Sequence, residues 1–412
     1  MAFHRKLRSI AAITVWLAAP AVAQDTGFIY GTVTLEDDTE VTGSLRWDGE
    51  EVAWIHHFNG TKAEPADISF LSDRDQDTII DRQPGPQMNF NGHIVEFIKV
   101  FGGGELEPQD FAVEFGALSE LELTGGDRLI MTLRDGSRIE ADGGSNDIST
   151  GTDIEVQVNE GTLRSLDWRD IEKVRFHAPT GPVARFPQHL FGTVDTELGQ
   201  FTGFVEWDQD ERWPSEKLDS EMDGREEEVE FASIRRIQKD GDGSLVTLTD
   251  GVEKFMTGTN DVDSDNRGIV VTIPDMGRVE LEWEIFKAVD FLPLPEGLPA
   301  YQDYAGMAEM QGTVATDSGT HRGKLMFNVD HRLAVESLVG RNKGIHYTLP
   351  FHLIQRIEPQ DAGSSRVTMK NGRDFELRAF DDVTEKNDGV VIWTGAKEPV
   401  YVPWSEVKSV SF

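Results

Sequence analysis

Apolar and polar residues alternate over short stretches of this chain, and none of these stretches holds a helical period for more than a turn or two. Met131-Thr132-Leu133, Val246-Thr247-Leu248 and Val367-Thr368-Met369 are strand-like, and each is followed closely by Asp135-Gly136, Asp250-Gly251 or Asn371-Gly372. Asp-Gly and Asn-Gly between apolar, β-branched runs are tight-hairpin signals. A different pattern closes each region: Trp168, Ile171, Val174, Phe176; Trp283, Phe286, Val289, Phe291; and Trp404, Val407, Val410, Phe412. Steps of three place the aromatic and the next apolar residues on one side of a single helical or 3₁₀ turn. The final Val-x-Phe then takes the period of two of a strand. The expectation is an all-β chain.

Identical spacing three times over predicts an internal triplicate. Gly31-Thr32-Val33, Gly192-Thr193-Val194 and Gly312-Thr313-Val314 open the units, and Gly43, Gly203 and Gly323 follow. Four residues further on stand Trp47, Trp207 and Phe327. Phe115, Phe231 and Phe351 start a middle motif with the same steps of three, so each unit is expected to be two related halves. The expected boundaries are 26–176, 190–291 and 310–412, joined by linkers 177–189 and 292–309. Both linkers contain prolines, as stiff spacers between beads would. Trp47 to Phe115 spans 68 residues, against 24 for Trp207 to Phe231 and Phe327 to Phe351, which marks an insertion at about 62–105 in the first unit. Strand, hairpin, strand, 3₁₀ turn and closing strand resemble the layout of small SH3-like or Sm-like barrels. A six-bladed β-propeller is the alternative architecture.

Charge and composition narrow the function. Arg5, Lys6 and Arg8, the apolar run from Ile10 to Ala19 and Ala21-Val22-Ala23 form a signal-peptide pattern over 1–23. An exported protein, periplasmic or secreted, is expected. With no cysteine, neither a disulfide framework nor a thiolate metal site is possible. The net charge of −35 repels phosphate backbones and disfavours nucleic-acid partners.

Candidate sites come from polar clusters. Asp73, Asp75 and Asp77 alternate inside the insertion and Asp81 follows, a pattern able to converge on calcium. A solvated acidic loop is the plainer reading. Asp240 with Asp242, and Asp261 with Asp263 and Asp265, fit ordinary Asx turns. Trp54 and Trp213 fall outside the shared core positions and neighbour Glu50-Glu51 and Asp210-Glu211, so exposed rings there would stack on carbohydrate. The neighbours His56 and His57 would point to opposite faces of a strand and chelate nothing together. No Gly-x-Ser-x-Gly, His-Glu-x-x-His or phosphate-loop motif is present. The expected function is non-catalytic binding, adhesion or assembly in the cell envelope, with carbohydrate or another envelope protein as partner. A hydrolase of an extracellular polymer acting through acidic residues, and a structural spacer, are the alternatives.

Overall fold

A computed structural model describes residues 27–82, 87–90, 93–96, 109–126, 128–142, 149–184, 186, 189–222, 224–306, 309–395 and 398–412. The stretch 1–23 that is expected as a signal peptide and part of the insertion lie outside the described residues. The fold is all-β, built on large antiparallel sheets. In chain order, ten strands of the first stretch are Tyr30–Leu35, Glu40–Trp47, His57–Lys62, Asp110–Glu114, Leu118–Gly125, Arg128–Leu133, Arg138–Asp142, Ile154–Asn159, Thr162–Leu166 and Ile171–Phe176. They pair in the order ninth, eighth, second, first, tenth, fifth, sixth, seventh, third, fourth. The strands of 311–411 pair in this same order. Those of 191–291 do too, except that third and seventh meet through a Glu221 N–H to Thr257 carbonyl hydrogen bond in place of a ladder.

Local chemistry explains the elements. All six Phe and Trp motifs open on a 3₁₀ turn, at Phe115, Trp168, Phe231, Trp283, Phe351 and Trp404, each followed by extended backbone. Gly31 faces Gly43, Gly192 faces Gly203 and Gly312 faces Gly323 across the first two strands. A Cβ at any of the six would run into a carbonyl of the adjoining strand, which is why only glycine fits. Trp47, Trp207 and Phe327 are fully buried, and Trp168, Trp283 and Trp404 nearly so.

The halves do not follow one another as the sequence suggests. Third to seventh strands are nested between the second and the eighth. The cause lies just after the second strand, where Asp48-Gly49, Asp208-Gln209 and Asn328-Val329 take left-handed conformations. This tight turn carries the chain off the sheet and leaves the second strand's edge free for the eighth. Among the described residues the fourth and ninth strands of a stretch do not pair with each other, so no closed barrel forms.

Nor are the stretches beads on stiff linkers. Gly277–Leu281 pairs with Ile345–Pro350, making the second and third sheets continuous over one shared core. The linker after the second stretch crosses the first and inserts Tyr301 and Tyr304 into its core. Leu294 and Leu298 pack against the same cluster. The insertion buries Ile68, Leu71 and Ile79 against Met326, Val329 and Val391 of the third stretch. It contains the one α-helix among the described residues, Asp73–Arg82. Ser72 starts that helix: its hydroxyl bonds the Asp75 carboxylate at 2.7 Å and accepts the Asp75 N–H at 3.3 Å. No described helix is long and apolar enough to cross a membrane.

Candidate functional site

The third strand of the first stretch ends at Lys62 and points it at a loop of the third stretch, 328–336. That loop is closed from within. Phe327 and His331 exchange backbone hydrogen bonds, and Glu336 Oε2 accepts the N–H groups of Arg332 and Leu333, both at 2.8 Å. The remaining oxygen, Glu336 Oε1, stands 2.6 Å from Lys62 Nζ, and Asp330 Oδ2 stands 2.7 Å from it. His331 lies behind them with Nε2 3.3 Å from Asp382 Oδ1. Asp330, His331, Glu336 and Asp382 are all buried.

Each charge here depends on the next. Burial alone would neutralise His331, but the Asp382 carboxylate and the flanking Glu336 and Asp330 push it up to about 10. Burial would also protonate Glu336, yet Lys62 and His331 hold it well below the usual carboxylate range. The Lys62 ammonium loses solvation and is nonetheless held above its ordinary value by Glu336 and Asp330. Removing one member of such a network leaves a buried charge alone, at a cost of about 3–5 kcal/mol.

A cavity of about 560 Å³ opens above this network, between the first and third stretches. One wall is Glu64, Pro65, Ala66 and Asp67 of the insertion, and a second is Arg138, Ile139 and Glu140. Met326, Arg332 and Leu333 of the third stretch complete it. Its size falls within the range of small-molecule sites.

The corresponding loops of the other stretches meet at a different junction. There Arg212 reaches Glu50 of the first stretch at 2.9 Å and Glu206 of its own at 3.2 Å. Loss of solvation pushes Glu50 up to about 7, whereas Arg212 and Arg278 overcome burial at Glu206 and hold it low. His56 and His189 pack edge to face beside them, ring centroids 5.5 Å apart. His57, the first residue of the third strand, faces elsewhere, toward Glu114 and His352.

Two sets of ligand-type side chains converge within 4.8 Å among the described residues. Asp330, His331 and Glu336 form one, and Lys62 already supplies its cation. Asp208, Glu211 and Asp261 form the other. Arg267 neutralises Asp208, but burial pushes Glu211 up to about 8 and Asp261 up to about 6. Asp261 is therefore more than the Asx-turn residue its spacing suggests, whereas Asp263 does cap its own turn through the Asp265 N–H.

The residues singled out in the sequence lie elsewhere. Trp54 is fully buried, its ring 4.7 Å from that of Tyr301, and Trp213 is 7% exposed, against His189 and Arg46. The rings are not exposed as expected: Trp54 packs into the core of the first stretch, and its acidic neighbour Glu50 pairs with Arg212. Asp73, Asp75, Asp77 and Asp81 sit on the helix, where Asp73, Asp77 and Asp81 follow one face at steps of four and Asp75 turns away from it, and none appears in either convergent set. The Lys62 network escaped the sequence reading because its members come from strands and loops more than 260 residues apart. Compared with models of protein families, with characterised proteins and with solved structures, the chain matches none.

Proposed function

We propose that this chain is a non-catalytic exported protein of the cell envelope that binds a ligand or partner, with the cavity between its first and third stretches as the recognition site. The observation that carries the reading is the state of the two carboxylates on the cavity floor. Asp330 and Glu336 are engaged by Lys62, with His331 behind them, so neither is a free acid, base or nucleophile. A charged, shaped and inert floor suits recognition. The shared strand order supports a triplicated chain, and in each stretch the first, second, eighth, ninth and tenth strands follow the strand order of an SH3-like unit. The spacer reading draws no support from linkers packed into neighbouring cores.

One observation favours the hydrolase reading. Glu50 and Glu206 flank the same guanidinium with their affinities for protons pushed apart, the arrangement expected of a general acid beside an ionised partner.

Retention of the mature chain on insoluble envelope material, with an assay for released reducing ends, separates the two readings. Binding predicts retention without release, and loss of retention in Ala66→Trp, which fills the cavity. Release of reducing ends that disappears in Glu50→Gln would replace the binding reading with the hydrolase one.

A further inference from the structure

We infer that the cavity between the first and third stretches takes an aliphatic polyamine, a ligand presenting primary ammonium groups on an alkyl chain. The inference rests on reading that cavity as a recognition site. The cavity already holds one such group. Lys62 is an ammonium on an alkyl chain, carried in from another sheet and seated between Asp330 at 2.7 Å and Glu336 at 2.6 Å. The Asp330 carbonyl lies a further 3.2 Å from Nζ, so three acceptors meet the three donors of an ammonium. The carboxylates are 7% and 1% exposed, and so they hold that ammonium as a docked group away from water.

The walls above the floor repeat this chemistry. Pro65, Ala66, Ile139 and Met326 offer methylene chains an apolar surface. Glu64 and Glu140, at the mouth, have no basic partner among the described residues. Of the three bases in the lining, Lys62 is committed to the floor and Arg332 lies over the Trp393 ring at 5.5 Å. Arg138 is left as the single base at the rim, two residues from Glu140 on the same strand face. Of the lining carboxylates, Asp330 and Glu336 are held by Lys62 and Glu309 by Lys324, which leaves Glu64, Asp67 and Glu140 against Arg138 and Arg332. That excess of carboxylates favours a cation, and a chain of net charge −35 draws cations toward it. A neutral sugar would gain nothing from that field, and an anion would be repelled.

Calorimetric titration of the mature chain with spermidine tests the inference. Saturable binding is expected, weakened about tenfold or more by Ala66→Trp and by Glu64→Gln combined with Glu140→Gln. Glu226→Gln combined with Glu228→Gln, on the exposed hairpin 217–230, controls for unspecific attraction to an acidic surface and should leave the affinity unchanged. The paired glutamine changes lie on exposed side chains and keep the test open if Ala66→Trp fails to fold. Absence of saturable heat, or an equal loss in the hairpin variant, overturns the inference. If Ala66→Trp abolishes envelope retention while spermidine neither binds nor competes, the amine inference falls and the binding reading stands. If spermidine binds while retention ignores Ala66→Trp, the inference stands and that reading falls.

Discussion

The Tyr301 hydroxyl donates to the Leu118 carbonyl at 2.8 Å, joining residues 183 positions apart. The Phe176 carbonyl lies 3.1 Å from the same oxygen, so one phenol reaches two strands of the first sheet. Tyr304 follows, with its hydroxyl 3.4 Å from Glu114. A segment lying between the second and third sheets is therefore part of the first sheet's core. Tyr301→Phe should cost about 1–3 kcal/mol, because two buried carbonyls lose their donor. Gly116→Ala should be destabilising as well, since its Cβ would meet the Tyr304 ring. Urea midpoints of both variants, at unchanged slope, check this.

Lys62→Met should cost about 3–5 kcal/mol at neutral pH, by leaving Asp330 and Glu336 buried without their cation. In the parent chain the low Glu336 value contributes stability that is present above the ordinary carboxylate range and is lost as pH falls through the folded value. The variant lacks much of that term, so its deficit should shrink in acid. Unfolding free energies of the two proteins between pH 7 and pH 3 measure the convergence.

His331 titrates with the opposite sense. Its folded value, pushed up to about 10, lies above its unfolded value of about 6.5. The stabilisation is fully present below pH 6.5 and is lost as pH rises through 10. His331→Gln should be less stable than the parent at pH 6 and approach it by pH 10. A difference between the two that does not change over that range would contradict the assignment.

Glu211 gives a second, separable dependence on pH. Its folded value near 8 lies above the ordinary carboxylate value, so stability present below pH 4.5 is lost as pH rises toward 8. Glu211→Gln should match the parent in acid and exceed it at pH 9. The gain is on the order of 1 kcal/mol, because water screens part of this side chain. Thermal midpoints at pH 4 and pH 9 test it.

What the sequence makes legible is short in range. The 3₁₀ turns at Phe115 or Trp404, the hairpin at Asp135-Gly136 and the core positions of Trp47 and Trp207 follow from spacing, because period and turn chemistry are local. The helix at Asp73 was hidden because the Ser72 cap lies in an acidic run that also fits a loop. Trp54 and Trp213 were misjudged from their charged neighbours, since an acidic residue such as Glu50 pairs with Arg212 while the ring near it is buried. The cavity could not be read at all. Lys62 ends a strand of the first stretch and Glu336 lies in a loop of the third, and no periodicity encodes which stretch meets which.

The cavity between the first and third stretches keeps a fixed shape only if the three stretches form one interlocked body. Calorimetric unfolding of residues 27–412 at neutral pH, with ring fluorescence followed in parallel, tests this most directly. The account predicts a single cooperative transition seen alike by both probes, with its midpoint lowered throughout by Tyr301→Phe. Separate transitions, with Tyr301→Phe shifting only one of them, would mean independent domains and no cavity of fixed shape between them.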